Sequence, residues 1–236
     1  FKDLDLIISK NFNLILYTNI LFAFIIRISL IIYFYYAGTI KFGAEDAEAF
    51  HLKAIKLLNI GISWEYFNTS IIPTIGWLYS YFLAFIYYIT SPSILVGNVT
   101  SSFFWLFAVM VLNLILSELK LIKKYQIICI LFFCFLPSSI LLSLFTLREV
   151  YQVFFFLLSI YFYIRFYKYN KKEEFFLLLI STIFFALLHK ALILVSSTII
   201  YMAILSYFKI QIKSYKFFII SSILILLVIL LNYFFF

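Results

Sequence analysis

The chain returns repeatedly to apolar runs of close to twenty residues. In hydrocarbon, a run of that length satisfies its own backbone polar groups only as a helix. Such runs occupy residues 12–36, 96–117, 150–166, 175–188, 191–208 and 217–236, with a shorter one at 126–136. A further apolar stretch, 71–90, carries Pro73, Gly76 and Trp77 near its start. Composition agrees, because 66% of the residues are hydrophobic and 12% charged, whereas a soluble domain is nearer a quarter charged. The fold class that follows is an all-α polytopic membrane protein, a single module over residues 1–236. The first apolar run is too long for a cleavable signal peptide. The chain begins at Phe1 and stops within an apolar run, which fits a fragment of a longer protein. The bias toward Phe, Ile, Leu, Tyr, Lys and Asn is that of an A/T-rich genome and points to a bacterium.

The loop charges set an expected orientation. Lys120, Lys123 and Lys124 form one basic loop, Arg165, Lys168, Lys171 and Lys172 a second, and Lys209, Lys213 and Lys216 a third. The positive-inside rule puts all three on the cytoplasmic side. If 71–90 crossed fully, the first basic loop would fall outside while the N-terminus, with Lys2 and Lys10, stayed inside. A helix that dips into the outer leaflet and returns removes the conflict. About seven transmembrane helices then remain, the N-terminus is cytoplasmic, and 38–95 is the first outer loop with juxtamembrane helices. A conventional eighth span is the alternative. On the seven-span reading the polar positions Glu65, Arg148, Glu149, His189 and Lys190 all open outside. The net charge of +8 therefore belongs to membrane topology and not to nucleic-acid binding.

The longest polar stretch, 37–70, holds the most informative cluster. Three of the ten acidic residues, Glu45, Asp46 and Glu48, fall within four positions just after the first apolar run. Ala47, Phe50, Ala54, Leu57 and Leu58 recur there at helical spacing, whereas Glu48, Lys53 and Lys56 lie mostly on other faces. That pattern suits a helix lying in the membrane interface. Acids at such a boundary are costly beside lipid and useful for chemistry. In the first turn of a helix, however, they also offset the dipole and free amides. Arg27 sits in mid-span, where a cation costs a few kcal/mol; pairing with an acid such as Glu149, or reaching outward to the interface, would relieve that. Cys129 and Cys134, five apart in one apolar segment, do not share a helix face and read as packing residues. Asn98-Val99-Thr100 and Asn68-Thr69-Ser70 match the N-glycosylation pattern, which carries little weight in a bacterium. Trp64, Trp77 and Trp105 are expected at lipid interfaces. With five glycines in the chain, a nucleotide-sugar donor cradled on a glycine-rich loop is disfavoured.

A span with an arginine, followed by GAEDAEAFHLKAIKLLNIG and then GWLYSYFLAFIYYITSPSILVGN, resembles the first outer loop of the GT-C superfamily of membrane glycosyltransferases. The later string FLPSSILLSLFTLREVYQVFFFLLSIYFYIRF resembles bacterial members related to the protein mannosyltransferases. The resemblance covers about residues 25–165. It implies a GT-C-like fold, a polyprenyl-phosphate-linked sugar as donor, a glycan or protein acceptor, and a site on the outer face of the plasma membrane. It also implies an acidic catalytic residue in the first outer loop. Asp46 is the expected general base, because it stands a little over one turn before Phe50 and His51; Glu45 is the second choice. The departure is the order Glu45-Asp46 with Glu48 beyond, where many members have a tighter acidic pair. Arg148, Lys190 and Arg27 are expected to hold the donor phosphate, since guanidinium geometry suits phosphate. Glu149 and His51 are the candidates for a divalent cation, Mg or Mn. The plainer readings are a salt-bridged pair at a helix end for Arg148 and Glu149, and interface residues for His51 and Lys190.

Two other functions compete. The stretch TLREVYQVFFFLL with ALLHKALIL also resembles polysaccharide polymerases or ligases of the O-antigen or exopolysaccharide kind, with Arg148, His189 and Lys190 as the matching positions. The other is a non-catalytic membrane subunit that stabilises membrane-protein partners in a larger complex.

Overall fold

The computed structural model describes residues 11–38, 44–60, 78–189 and 191–207. Over these it is helical, with no strand among the described residues. The helices are α1 (Phe12–Ala37), α2 (Ala44–Ile60), α3 (Leu78–Ile89), α4 (Ile94–Glu118), α5 (Lys123–Phe135), α6 (Pro137–Leu144), α7 (Glu149–Tyr169), α8 (Lys172–Leu188) and α9 (Leu192–Tyr207).

Three of them, α1, α4 and α7, are long and apolar enough to cross a membrane. A fourth span results if α5 and α6, bent by 51° at the break between them, count as one. The expected seven spans are thus corrected to three, or four with the bent pair, among the described residues. Element length is the reason. Helices α8 and α9 contain 17 and 16 residues, which at about 1.5 Å per residue fall short of a core about 30 Å thick. The run at 126–136 is interrupted by Pro137, whose ring cannot continue a helix but suits the first position of α6. The run at 217–236 and the third basic loop lie outside the described residues. Helix α3, with 12 residues, rises only about 18 Å and is too short to cross on its own.

The bundle has two chemically different ends. At one, Lys123 Nζ of α5 lies 5.5 Å from the ring of Phe12, so the starts of α1 and α5 are neighbours. The ends of α4 and α7 meet there too: the Lys168 ammonium contacts both the carbonyl and the carboxylate of Glu118, and the Tyr169 hydroxyl donates to the same carboxylate. Two of the three basic loops therefore share this end. The opposite end collects the last turns of α1, helix α2, the first turns of α4 and the junction between α6 and α7.

Between the ends, small and polar side chains let the helices approach closely, as packing in lipid requires. Gln126 Nε2 donates to Asn113 Oδ1 at 2.7 Å and to Ser117 Oγ at 2.8 Å, which ties α5 to α4. Ser159 Oγ and Ser181 Oγ, 3.2 Å apart, link α7 to α8. A core of Leu16, Ile20, Leu57, Tyr79, Leu83, Trp105 and Tyr151 joins α1 to α2, α3, α4 and α7. Leu14, Phe22 and Phe132 point outward and are mostly exposed, as suits side chains that face lipid.

Candidate functional site

Helix α2 carries the acidic cluster and is placed by its apolar face. Ala47, Ala54 and Leu57 are fully buried, while Glu45, Asp46, Glu48, Lys53 and Lys56 are exposed. This phase divides the acids. Glu45 and Asp46 project from the first turn, where carboxylates offset the free amides and the positive end of the helix dipole. Glu48 instead shares a face with Ala47, His51 and Leu52, three and four residues on. These four side chains line a cavity of about 570 Å³ at the end away from the basic loops. Its other described walls are Ile31, Phe34, Tyr35 and Gly38 of α1, Ile94 and Asn98 of α4, and Leu144 and Phe145.

The polar groups on this wall are held in place from behind. His51 Nδ1 lies 2.8 Å from the Tyr87 hydroxyl of α3, with the two rings edge to face. The Thr146 hydroxyl donates to Asn98 Oδ1 at 2.7 Å. Both supports converge on Gly97, where an added Cβ would stand 2.6 Å from Thr146 Oγ1 and 3.0 Å from the Tyr87 oxygen. A side chain there would force α4 away from both, so glycine is what permits the contact. Ser93 starts α4 by accepting the Leu95 amide at its side chain, 3.3 Å away. At the other wall α1 ends on Gly38 at φ 65, its amide bonded to the Phe34 carbonyl; a left-handed residue is the usual way to stop a helix. Partial burial draws the His51 pKa below its ordinary value, and the charge of Glu48 opposes that shift.

The other expected site residues lie elsewhere. Arg148 sits over the opposite flank of α2, its guanidinium carbon 5.5 Å from the Phe50 ring centroid and its Nε 3.7 Å from the Glu149 carboxylate. Phe50 in turn packs edge to face on Tyr79. Arg148 and Glu149 thus form a half-buried ion pair at the start of α7. His189 accepts the Ala191 amide at the turn into α9, and Lys190 lies outside the described residues.

Arg27 neither pairs with Glu149 nor reaches outward. It is fully buried and binds α1 to the broken α5–α6 pair. Its guanidinium donates to the Ser143 hydroxyl at 2.9 Å, the Cys134 carbonyl at 2.8 Å, the Ser139 hydroxyl at 3.3 Å and the Ala23 carbonyl at 3.0 Å. Its guanidinium carbon lies 3.5 Å from the Trp105 ring centroid. The Cys134 carbonyl is one of those left free where α5 ends, and a cation at a helix C-terminus satisfies both the lone pair and the dipole. Arg27 is therefore spent on the fold and is not among the residues lining the cavity. Both cysteines are free, Cys134 buried and Cys129 exposed.

Glu149 and His51, the expected cation ligands, have other neighbours in the structure. Glu149 faces a guanidinium, His51 engages Tyr87, and no group of three His, Cys, Asp or Glu side chains gathers among the described residues.

The sequence pattern puts Glu48 off the apolar face of α2 and gives no sign of Tyr87, Gly97 or Thr146. It marks Asn98 only as part of a glycosylation pattern. The spacing of Glu48, His51 and Leu52 was a usable signal for a common face.

The fold and cavity together define an all-helical membrane protein with a ligand-sized cavity at one end. Comparisons with protein-family models, with curated proteins and with solved structures found no match.

Proposed function

We propose that the chain is a membrane glycosyltransferase of the GT-C type, taking a sugar from a polyprenyl-phosphate carrier at the outer face of a bacterial plasma membrane. One observation carries the reading: a cavity at the end remote from the basic loops has a carboxylate, an imidazole and a side-chain amide on a mostly apolar wall. Transfer needs a base for the acceptor hydroxyl as it attacks the anomeric carbon. It also needs positive charge near the departing phosphate. Glu48 is the acid placed to take the proton. Arg148, across Phe50, is the cation placed toward the phosphate. Asp46, first choice from the sequence, stands outside the described cavity wall and is the comparison residue.

The test is transfer from a radiolabelled polyprenyl-phosphate sugar by membranes containing each variant. Loss of a general base typically lowers the rate about 10²- to 10⁴-fold. Glu48→Gln should show that loss, and Asp46→Asn should stay within about tenfold of wild type. The reverse ranking would return the role to Asp46. Full activity of both variants would remove both carboxylates from the mechanism, and no transfer by wild-type membranes above membranes lacking the protein would end the glycosyl-transfer reading.

A further inference from the structure

We infer that the cavity between α1, α2 and α4 binds an uncharged, hydroxyl-bearing amphiphile in preference to a phosphate-bearing one. Only the naming of this ligand as the acceptor rests on the glycosyl-transfer reading.

The volume, about 570 Å³, is that of a small-molecule site, which is usually apolar with a few placed polar groups. This cavity has that distribution. Ile31, Phe34, Leu144 and Phe145 supply apolar wall, and Glu48, His51 and Asn98 the polar groups. A carboxylate, a ring nitrogen and a side-chain amide match hydroxyl groups as acceptors and donors. Two of the three are held by partners behind the wall, His51 by Tyr87 and Asn98 by Thr146. Such fixing lowers the ordering cost of binding.

The sign of the charge then selects the ligand. Among the described lining residues Glu48 is the one charged group, and partial burial favours the neutral form of His51. An anionic head would meet like charge across a short distance in a partly apolar enclosure, where repulsion is strengthened. The Arg148 guanidinium lies instead over the Phe50 ring, on a different flank of α2. The helix thus carries Glu48 on its cavity side and has the Arg148–Glu149 ion pair over another flank. In the transfer reaction the acceptor oxygen in the cavity gives its proton to Glu48 and bonds to the anomeric carbon. The bond from that carbon to the phosphate oxygen breaks, and its electron pair leaves with the phosphate.

The experiment uses the full chain in lipid nanodiscs and two photoreactive probes with the same diazirine-bearing octyl tail, octyl β-glucoside and octyl phosphate. Crosslinks are mapped by mass spectrometry. The glucoside should label residues 31–38, 47–52 and 94–98, and the phosphate about tenfold less there at equal concentration, as expected when charge decides specificity. Leu52→Trp, which fills the cavity, should remove most of the glucoside label. Glu48→Gln should bring the two probes to within about threefold of each other, because the like charge is gone. Equal labelling of the wild-type cavity by both probes, or glucoside labelling undiminished in Leu52→Trp, would overturn the inference. Loss of transfer activity with this labelling pattern intact would end the glycosyl-transfer reading alone. Transfer with the labelling reversed would end the cavity assignment alone.

Discussion

Arg27 shows how one residue makes a broken helix possible. Its planar fork spans acceptors on α1, α5 and α6 at once, and its central carbon lies over the Trp105 ring. A lysine at this position would keep the cost of a buried charge but lose the fork and the stacking. Arg27→Lys is therefore expected to destabilise the protein by on the order of 1–3 kcal/mol, the range for leaving a buried acceptor unsatisfied. Arg27→Met, which removes the charge as well, should be no worse. Thermal unfolding in nanodiscs checks the order, and a wild-type melting temperature for Arg27→Lys would remove the fork from the account. His51 supplies the pH dependence. Burial lowers its pKa in the folded protein, with Glu48 opposing. As pH falls through about 6.5 the unfolded chain binds the proton first, so stability drops below that pH and is unaffected above it. Melting temperatures measured from pH 7.5 to 5.5 should fall more steeply for wild type than for His51→Gln. Parallel curves would show that His51 does not contribute.

At the scale of elements, the α4–α5 turn is tightly specified. The Leu121 amide bonds to the Leu116 carbonyl and the Lys120 amide to the Ser117 carbonyl, the paired bonds of a Schellman ending. That ending puts Lys120 at φ 54, a region where glycine is at ease and a side chain is not. Lys120→Gly should raise stability by about 0.5–1 kcal/mol, read as a higher melting temperature; a decrease would mean that the lysine charge outweighs the strain. Much of this level was legible from the sequence. Uninterrupted apolar runs marked α1, α4 and α7, and the spacing of Ala47, Ala54 and Leu57 marked the buried face of α2. Which of the three acids lines the cavity was not legible in the same way. It depends on how α2 is rotated on α3, where His51 meets Tyr87 and Phe50 meets Tyr79, partners well along the chain and unremarkable in type. Nor did the sequence show that Arg27 would be satisfied by neutral acceptors, because the carbonyl it takes is freed only by the break before Pro137.

For the whole molecule, the separation of the two ends is the property on which the proposed function depends. Basic side chains and the Glu118–Lys168 contact mark one end, and the acidic α2 with its cavity marks the other. A site fed by a lipid-linked sugar at the outer face requires the cavity end to be external and the basic turns cytoplasmic, as the positive-inside rule expects. Single cysteines at Asp46 and Lys171, both exposed positions, report the two ends when Cys129 and Cys134 are replaced by serine and alanine. In intact cells a membrane-impermeant maleimide should label Asp46→Cys at once, and Lys171→Cys only after permeabilisation. Labelling of both before permeabilisation would show that the helices do not separate the ends across a bilayer. Labelling of Lys171→Cys alone would turn the cavity toward the cytoplasm. The outer-face glycosyl-transfer reading would then fail, while the cavity's preference for an uncharged amphiphile, which follows from its walls, would still be open to the crosslinking test.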